Sequence, residues 1–287
     1  MNRFTCNGSG EPSRAMEEAG YLKLNAELVY YVIHRAPRPE ALALLVGPFA
    51  CDRPLSYALW VRWARHLASH GLTSMHFDYR GVGESTGAFE QFSFEDWCND
   101  IQLCAARLQQ EAPGLPLVLT GLGIGGLLGA QLFRQGLGDA LLLWSPPVCG
   151  NSALKEFLVR RLSYDYALAR LRGPKRLADY IACLDRGHSV NVEGYAIGPR
   201  LWHKSSSIKL GLEGAGGSDP SGREWKIVRL GAAEVPLIGG FGLWRALNPR
   251  SKITRYPLNP DLGLFFQQNL GWILNQVKRT WPMMVDS

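Results

Sequence analysis

Residues 112–133 carry no charged side chain, and what this run becomes decides what the chain can fold into. About 20 continuous apolar residues would span a bilayer. Here two prolines and six glycines interrupt the run. It divides better into a buried strand over 115–119, a glycine turn and a helix beginning near Gly123 that packs back on the strand. This strand, turn and helix unit points to a layered α/β domain, not a membrane span.

The rest of the first half repeats that rhythm. Strands are predicted over 28–33, 41–46, 72–77 and 140–144. A helix is predicted over 57–70, where Leu59, Trp60, Trp63 and Leu67 fall at helical spacing, and another over 93–110, capped by Ser93 with Asp96 three residues on. Strands alternating with helices imply a parallel sheet covered on both faces. From Asn151 the rhythm changes. Two helical segments, 153–171 and 174–184, follow each other, and the chain is then irregular up to Arg223, with a Gly- and Ser-rich loop over 211–222. Alternation resumes with strands over 225–230 and 253–256 and an amphipathic helix over 264–277. The expected organisation is a core of residues 1–150 and 222–287, with a helical cap inserted over 151–221.

Composition narrows the class further. The 287 residues are 46% hydrophobic, with a net charge of +6, a mild excess that would help binding to an anionic surface without demanding one; no nucleic-acid partner is expected. Six cysteines lie at 6, 51, 98, 104, 149 and 183 with no C-x-x-C pair and no histidine at zinc spacing, so they read as buried thiols in a reducing compartment. No metal or cofactor is expected. Residues 1–22 include Arg3, Glu11, Arg14, Glu17 and Glu18 and lack the apolar stretch of a signal peptide, so a cytoplasmic location is expected.

In an open α/β sheet ligands bind at the carboxyl ends of strands. Three turns there are informative. Thr120-Gly121-Leu122-Gly123-Ile124-Gly125-Gly126 fits G-x-S-x-G, the strand-to-helix turn that carries a nucleophile, except that Gly123 stands where the serine would be. Asp78-Tyr79-Arg80-Gly81-Val82-Gly83-Glu84-Ser85 leaves another strand. Gly47-Pro48-Phe49-Ala50 leaves a third, where an oxyanion hole would use the backbone N–H groups of Phe49 and Ile124. The glycine turn also satisfies G-x-G-x-x-G, but no acid ends the strand about 20 residues on, and Asp139 precedes that strand, which argues against a dinucleotide site.

With these motifs the chain resembles the α/β-hydrolase superfamily, in particular its serine-aminopeptidase-like members with a helical cap. Ser145-Pro146-Pro147-Val148, leading into a basic helix, is similar to the type 2 exosortase A system-associated hydrolases. The resemblance implies an α/β-hydrolase fold, a bacterial source and a place beside exopolysaccharide and protein-sorting genes.

The departures from that pattern are chemical. A Ser-His-Asp mechanism needs a hydroxyl, a base and an orienting acid, in the chain order Ser, acid, His. Glycine supplies no nucleophile. The six histidines, at 34, 66, 70, 76, 188 and 203, all precede the last strand, and the loop after it, with Asn259 and Asp261, offers no imidazole. Only the acid is retained, as Glu234 in Gly231-Ala232-Ala233-Glu234. The expectation is a degenerate hydrolase relative that binds a ligand or partner beneath the cap. The alternative is an active esterase, thioesterase or acyltransferase with displaced groups: Thr120, Ser85 or Ser145 as nucleophile and His76 or a cap histidine as base. Each has a plainer role, as strand end, turn cap or core histidine.

Candidate ligand contacts are Phe49, Leu122, Ser145, Phe157, Trp202 and Trp244. From Lys155 to Arg176 seven Lys and Arg face only Glu156 and Asp165. Either this is a solvated helix face, or the basic surface meets an anionic glycan, a lipid surface or an envelope partner while Leu154, Phe157, Leu158, Tyr164 and Leu168 close an apolar pocket.

Overall fold

The computed structural model describes residues 16–48, 50–168, 176–229 and 262–280. Strands β1 (Met16–Leu24), β2 (Glu27–Arg35), β3 (Ala41–Val46), β4 (Leu72–Phe77), β5 (Leu117–Leu122), β6 (Ala140–Trp144), β9 (Gly216–Ser218) and β10 (Glu224–Val228) form one sheet in the order β1-β2-β4-β3-β5-β6-β10-β9. Its centre, β4-β3-β5-β6-β10, is parallel, while β1, β2 and β9 join antiparallel.

The centre is buried on both faces, which is why β3, β5 and β6 read as nearly continuous apolar runs, while β4 buries Thr73, Ser74 and His76 as well. Alternate residues go to opposite sides. Ala41, Ala43 and Leu45 pack with α1 (Asp52–Ala68) and α7 (Leu262–Thr280), including Trp60, Trp63, Phe266 and Ile273. Leu42, Leu44 and Val46 pack with α2 (Phe94–Gln109) and α3 (Ile124–Arg134), including Ile101 and Leu127. Ser93 caps α2 as expected, its N–H donating to Asp96 Oδ2 at 2.8 Å.

Between β6 and β10 lie α4 (Gly150–Leu168), α5 (Leu177–Asp185), the hairpin β7 (Val190–Val192) and β8 (Tyr195–Ile197), and α6 (Pro199–Lys204). Leu154, Phe157 and Leu158 of α4 join the same core as α2 and α3. Tyr164, expected to close a pocket with them, is exposed. The basic excess expected there is partly neutralised: Arg160, Arg161 and Arg176 pair with Asp52, Asp165 and Asp179.

The structure also corrects the sequence reading. β1 and β9 were not expected, α1 begins at Asp52 instead of 57, and the irregular stretch contains a hairpin and α6. Cys98, Cys149 and Cys183 are only partly buried, so the expectation of buried thiols holds for Cys51 and Cys104. The predicted strand 253–256 lies outside the described residues. No described helix is long and apolar enough to cross a membrane.

Candidate functional site

The carboxyl ends of β3, β5 and β6, neighbours in the sheet, each lead into a residue with positive φ. These are Ala50 at 52°, Gly123 at 56° and Ser145 at 45°. L-residues rarely adopt this conformation, and such strain collects at functional sites. It marks the edge where α/β sheets bind ligands.

Gly123 makes the sharp turn from β5 into α3 at φ 56°, ψ −128°, its N–H donating to Trp144 O at 2.9 Å. The flanking glycines are forced by packing. A Cβ on Gly121 would lie 2.4 Å from Gly126 Cα, and one on Gly125 would lie 2.1 Å from Gly47 O. These approaches account for the G-x-G-x-x-G spacing without a dinucleotide. Gly123 differs: among the described residues a Cβ there meets only Pro48 Cβ, at 3.9 Å. Against those residues the turn has space for a side chain that glycine does not supply. Ile124 is the first residue of α3, so its N–H has no acceptor within the helix. Phe49, its expected counterpart, lies outside the described residues, as do Trp244, Glu234, Asn259 and Asp261.

The other candidates separate. Ser145 is half-buried, with its N–H on Val228 O at 2.9 Å. Leu122 is fully buried in the core cluster that holds Leu45, Trp60 and Trp144. Trp202 is buried and donates Nε1–H to Asp185 Oδ1 at 3.0 Å, a structural role within the inserted elements. Phe157 is buried beneath the Arg160 guanidinium, 4.6 Å from its ring centroid.

Of the displaced groups considered from sequence, the pair Thr120 and His76 is not assembled. His76 and Thr120 both pair with Leu45, so a whole strand stands between them; two strand spacings amount to about 9–10 Å, beyond hydrogen-bond reach. Ser85 serves its loop: Oγ donates to Asp78 O at 2.5 Å and accepts the Tyr30 N–H at 2.8 Å.

The 78–85 motif is likewise structural. Asp78 takes two hydrogen bonds from Arg53, at 2.5 and 2.7 Å, and one from Glu84 N–H. Gly83 is needed because a Cβ would lie 2.2 Å from Asp78 Oδ2. His76 is not a fully satisfied core histidine as expected. Its Nδ1 meets His34 Nε2 at 3.1 Å, but among the described residues its Nε2 has no partner, and His76 lines a cavity of about 20 Å³ with Trp60, Arg53 and Asp78. That is room for about one water. Burial pushes the His76 imidazole down to about 3, with His34 adding to the effect. No group of three or more potential metal ligands occurs among the described residues.

Residues 56–176 match the family model of serine aminopeptidases of the S33 type. Among solved structures, Est1E from Butyrivibrio proteoclasticus, solved with ferulic acid bound, superposes over 90% of this chain and 99% of its own at 13% identity and a TM-score of 0.59. A putative hydrolase from Agrobacterium vitis S4 covers 68% of this chain and 72% of its own at 16% identity and a TM-score of 0.48. An esterase from Pyrococcus furiosus covers 67% and 69% at 16% identity and a TM-score of 0.44. No curated protein matches the sequence. The sheet order, the glycine turn at the end of β5 and the superposition on Est1E establish that this chain has the α/β-hydrolase fold.

Proposed function

We propose that this protein is a catalytically degenerate α/β-hydrolase relative that binds a ligand in the cleft between the strand ends and a cap of residues 151–221. The observation that carries this reading is Gly123: it keeps the nucleophile-turn geometry and the room for a side chain, but supplies no hydroxyl. The absence of any histidine after His203 supports it from the sequence, since the base follows the last strand in this fold. Glu234 is then a retained acid with nothing to orient. The resemblance to exosortase-associated hydrolases supports a place in bacterial exopolysaccharide or envelope biogenesis, with a peripheral membrane or protein partner. The test is a fluorophosphonate probe read by intact-protein mass. The reading expects no adduct, and stoichiometric labelling would establish the displaced-group hydrolase instead.

Restoring the hydroxyl alone is not expected to restore chemistry. Gly123→Ser fits the space, but its positive φ adds about 1–3 kcal/mol of strain, and without a base its hydroxyl stays protonated. The variant should fold with a lowered melting temperature and leave p-nitrophenyl esters unhydrolysed. Turnover in the enzymatic range of about 1–10³ per second would reveal a working base.

A further inference from the structure

The helix α4 is packed down in its first half only. Up to Leu158 it buries Ala153, Leu154, Phe157 and Leu158 in the core shared with α2 and α3, whereas from Val159 to Tyr166 no residue is buried. Leu162 alone of that second half leans on the same core. Within the inserted elements the second half is tied to α5, where Tyr180 Oη donates to Asp165. Among the described residues its one ion pair with α1 is that of Arg160, whose Nη2 donates to Asp52 Oδ1 at 2.6 Å. Asp52 opens α1 two residues beyond Ala50, one of the three strained residues at the strand ends, so the pair borders the edge where α/β sheets bind ligands.

The pair is a costly fastening. The Arg160 side chain is only 10% exposed, and among the described residues its buried Nε and Nη1 have no acceptor. A buried charged donor without an acceptor gives up its hydration for nothing. Separating α4 from α1 returns water to both groups, and the desolvation of a buried ion pair can outweigh its attraction. The Phe157 ring, 4.6 Å from the guanidinium carbon, offers the same position an apolar contact.

We propose that Arg160 and Asp52 form a latch: residues 159–166 are a lid over the strand-end edge, held closed by this pair and released when it separates. This deepens the reading of a cleft beneath the inserted elements, on which it rests, by assigning what controls access to it.

Two of the protein's own cysteines report on the latch. Cys51 is buried immediately before Asp52, and Cys104 is buried on α2. Iodoacetamide labelling of the full chain, read at each cysteine by peptide mass, follows the open population at that site. Asp52→Ala strands the guanidinium and should speed Cys51 labelling about tenfold or more, leaving Cys104 unchanged. Arg160→Met removes the donors without acceptors and keeps an apolar side chain beside Phe157, so it should slow Cys51 labelling below wild type. Faster Cys51 labelling in both variants would make the pair an ordinary stabilising contact, and unchanged labelling in both would make α4 rigid; either result overturns the latch. A rise of Cys104 in step with Cys51 would mean global unfolding and overturns it as well. The fluorophosphonate result on wild type does not depend on this pair, so failure of the latch and failure of the cleft reading are told apart.

Discussion

Asp100→Ala should lower the stability of the fold by about 3–5 kcal/mol, the cost of leaving a buried charge without its partner. Asp100 is fully buried on α2 and accepts from Arg80 Nε at 2.6 Å and from Arg80 N–H at 3.0 Å. Arg80 is itself buried, stacks over Phe92 at 5.0 Å and donates Nη2 to Asp96 O at 2.9 Å. Its own carbonyl accepts Trp97 Nε1–H at 3.1 Å. Removing the carboxylate strands the guanidinium and loosens the turn that holds Asp78 and Gly83, so the loss is not local. Urea denaturation followed by circular dichroism measures it. A cost below about 1 kcal/mol, typical of a surface pair, would mean that Arg80 finds another acceptor.

Acid should destabilise the protein through His76. Its folded-state value of about 3 lies below the 6.5 of a free imidazole, because burial opposes the charged form. The sign follows directly: between these values the unfolded chain takes up a proton that the folded protein refuses, so stability falls as pH falls. From pH 6.5 to 4 the contribution amounts to about 3 kcal/mol at 1.36 kcal/mol per unit. Asp100, whose carboxyl burial pushes up to about 6, titrates in the same interval with the opposite sign. The quantity to read is therefore the difference between wild type and His76→Gln across that range. Equal pH dependence in the two proteins would show that the His34–His76 pair is hydrated in solution.

The parts of this fold visible in the sequence are those fixed by local or one-dimensional constraints. β3 and β6 are unbroken apolar runs because both faces of the sheet centre are covered. The turn at Gly123 announces itself because close approaches force glycine at 121 and 125. β1 was hidden because it pairs on one side only and exposes most of its residues, so no periodic apolar pattern develops. β9 was hidden because Gly216, Gly217 and Ser218 read as loop residues. The start of α1 was placed late because the apolar spacing that marks the helix begins only at Leu59, while its first turn holds Asp52, Arg53 and Pro54, the last tolerated in a first helical turn. The Arg160–Asp52 and His34–His76 contacts join residues 108 and 42 positions apart, a proximity that only the folded topology creates.

Among the described strands, the two ends of the sheet are guarded unequally. β9, only three residues long, offers little length for another strand to zip onto. β1 offers nine, but its charges are already engaged: Glu18 pairs with Arg35, and Glu17 with Arg65. β1 thus acts as a polar selvedge, a finished border sewn onto β2. A chain clipped after Leu24 would bare the hydrogen-bonding edge of β2, with Val29, Tyr31 and Ile33 losing their neighbour strand, and the same domain would become a template for fibrous self-association.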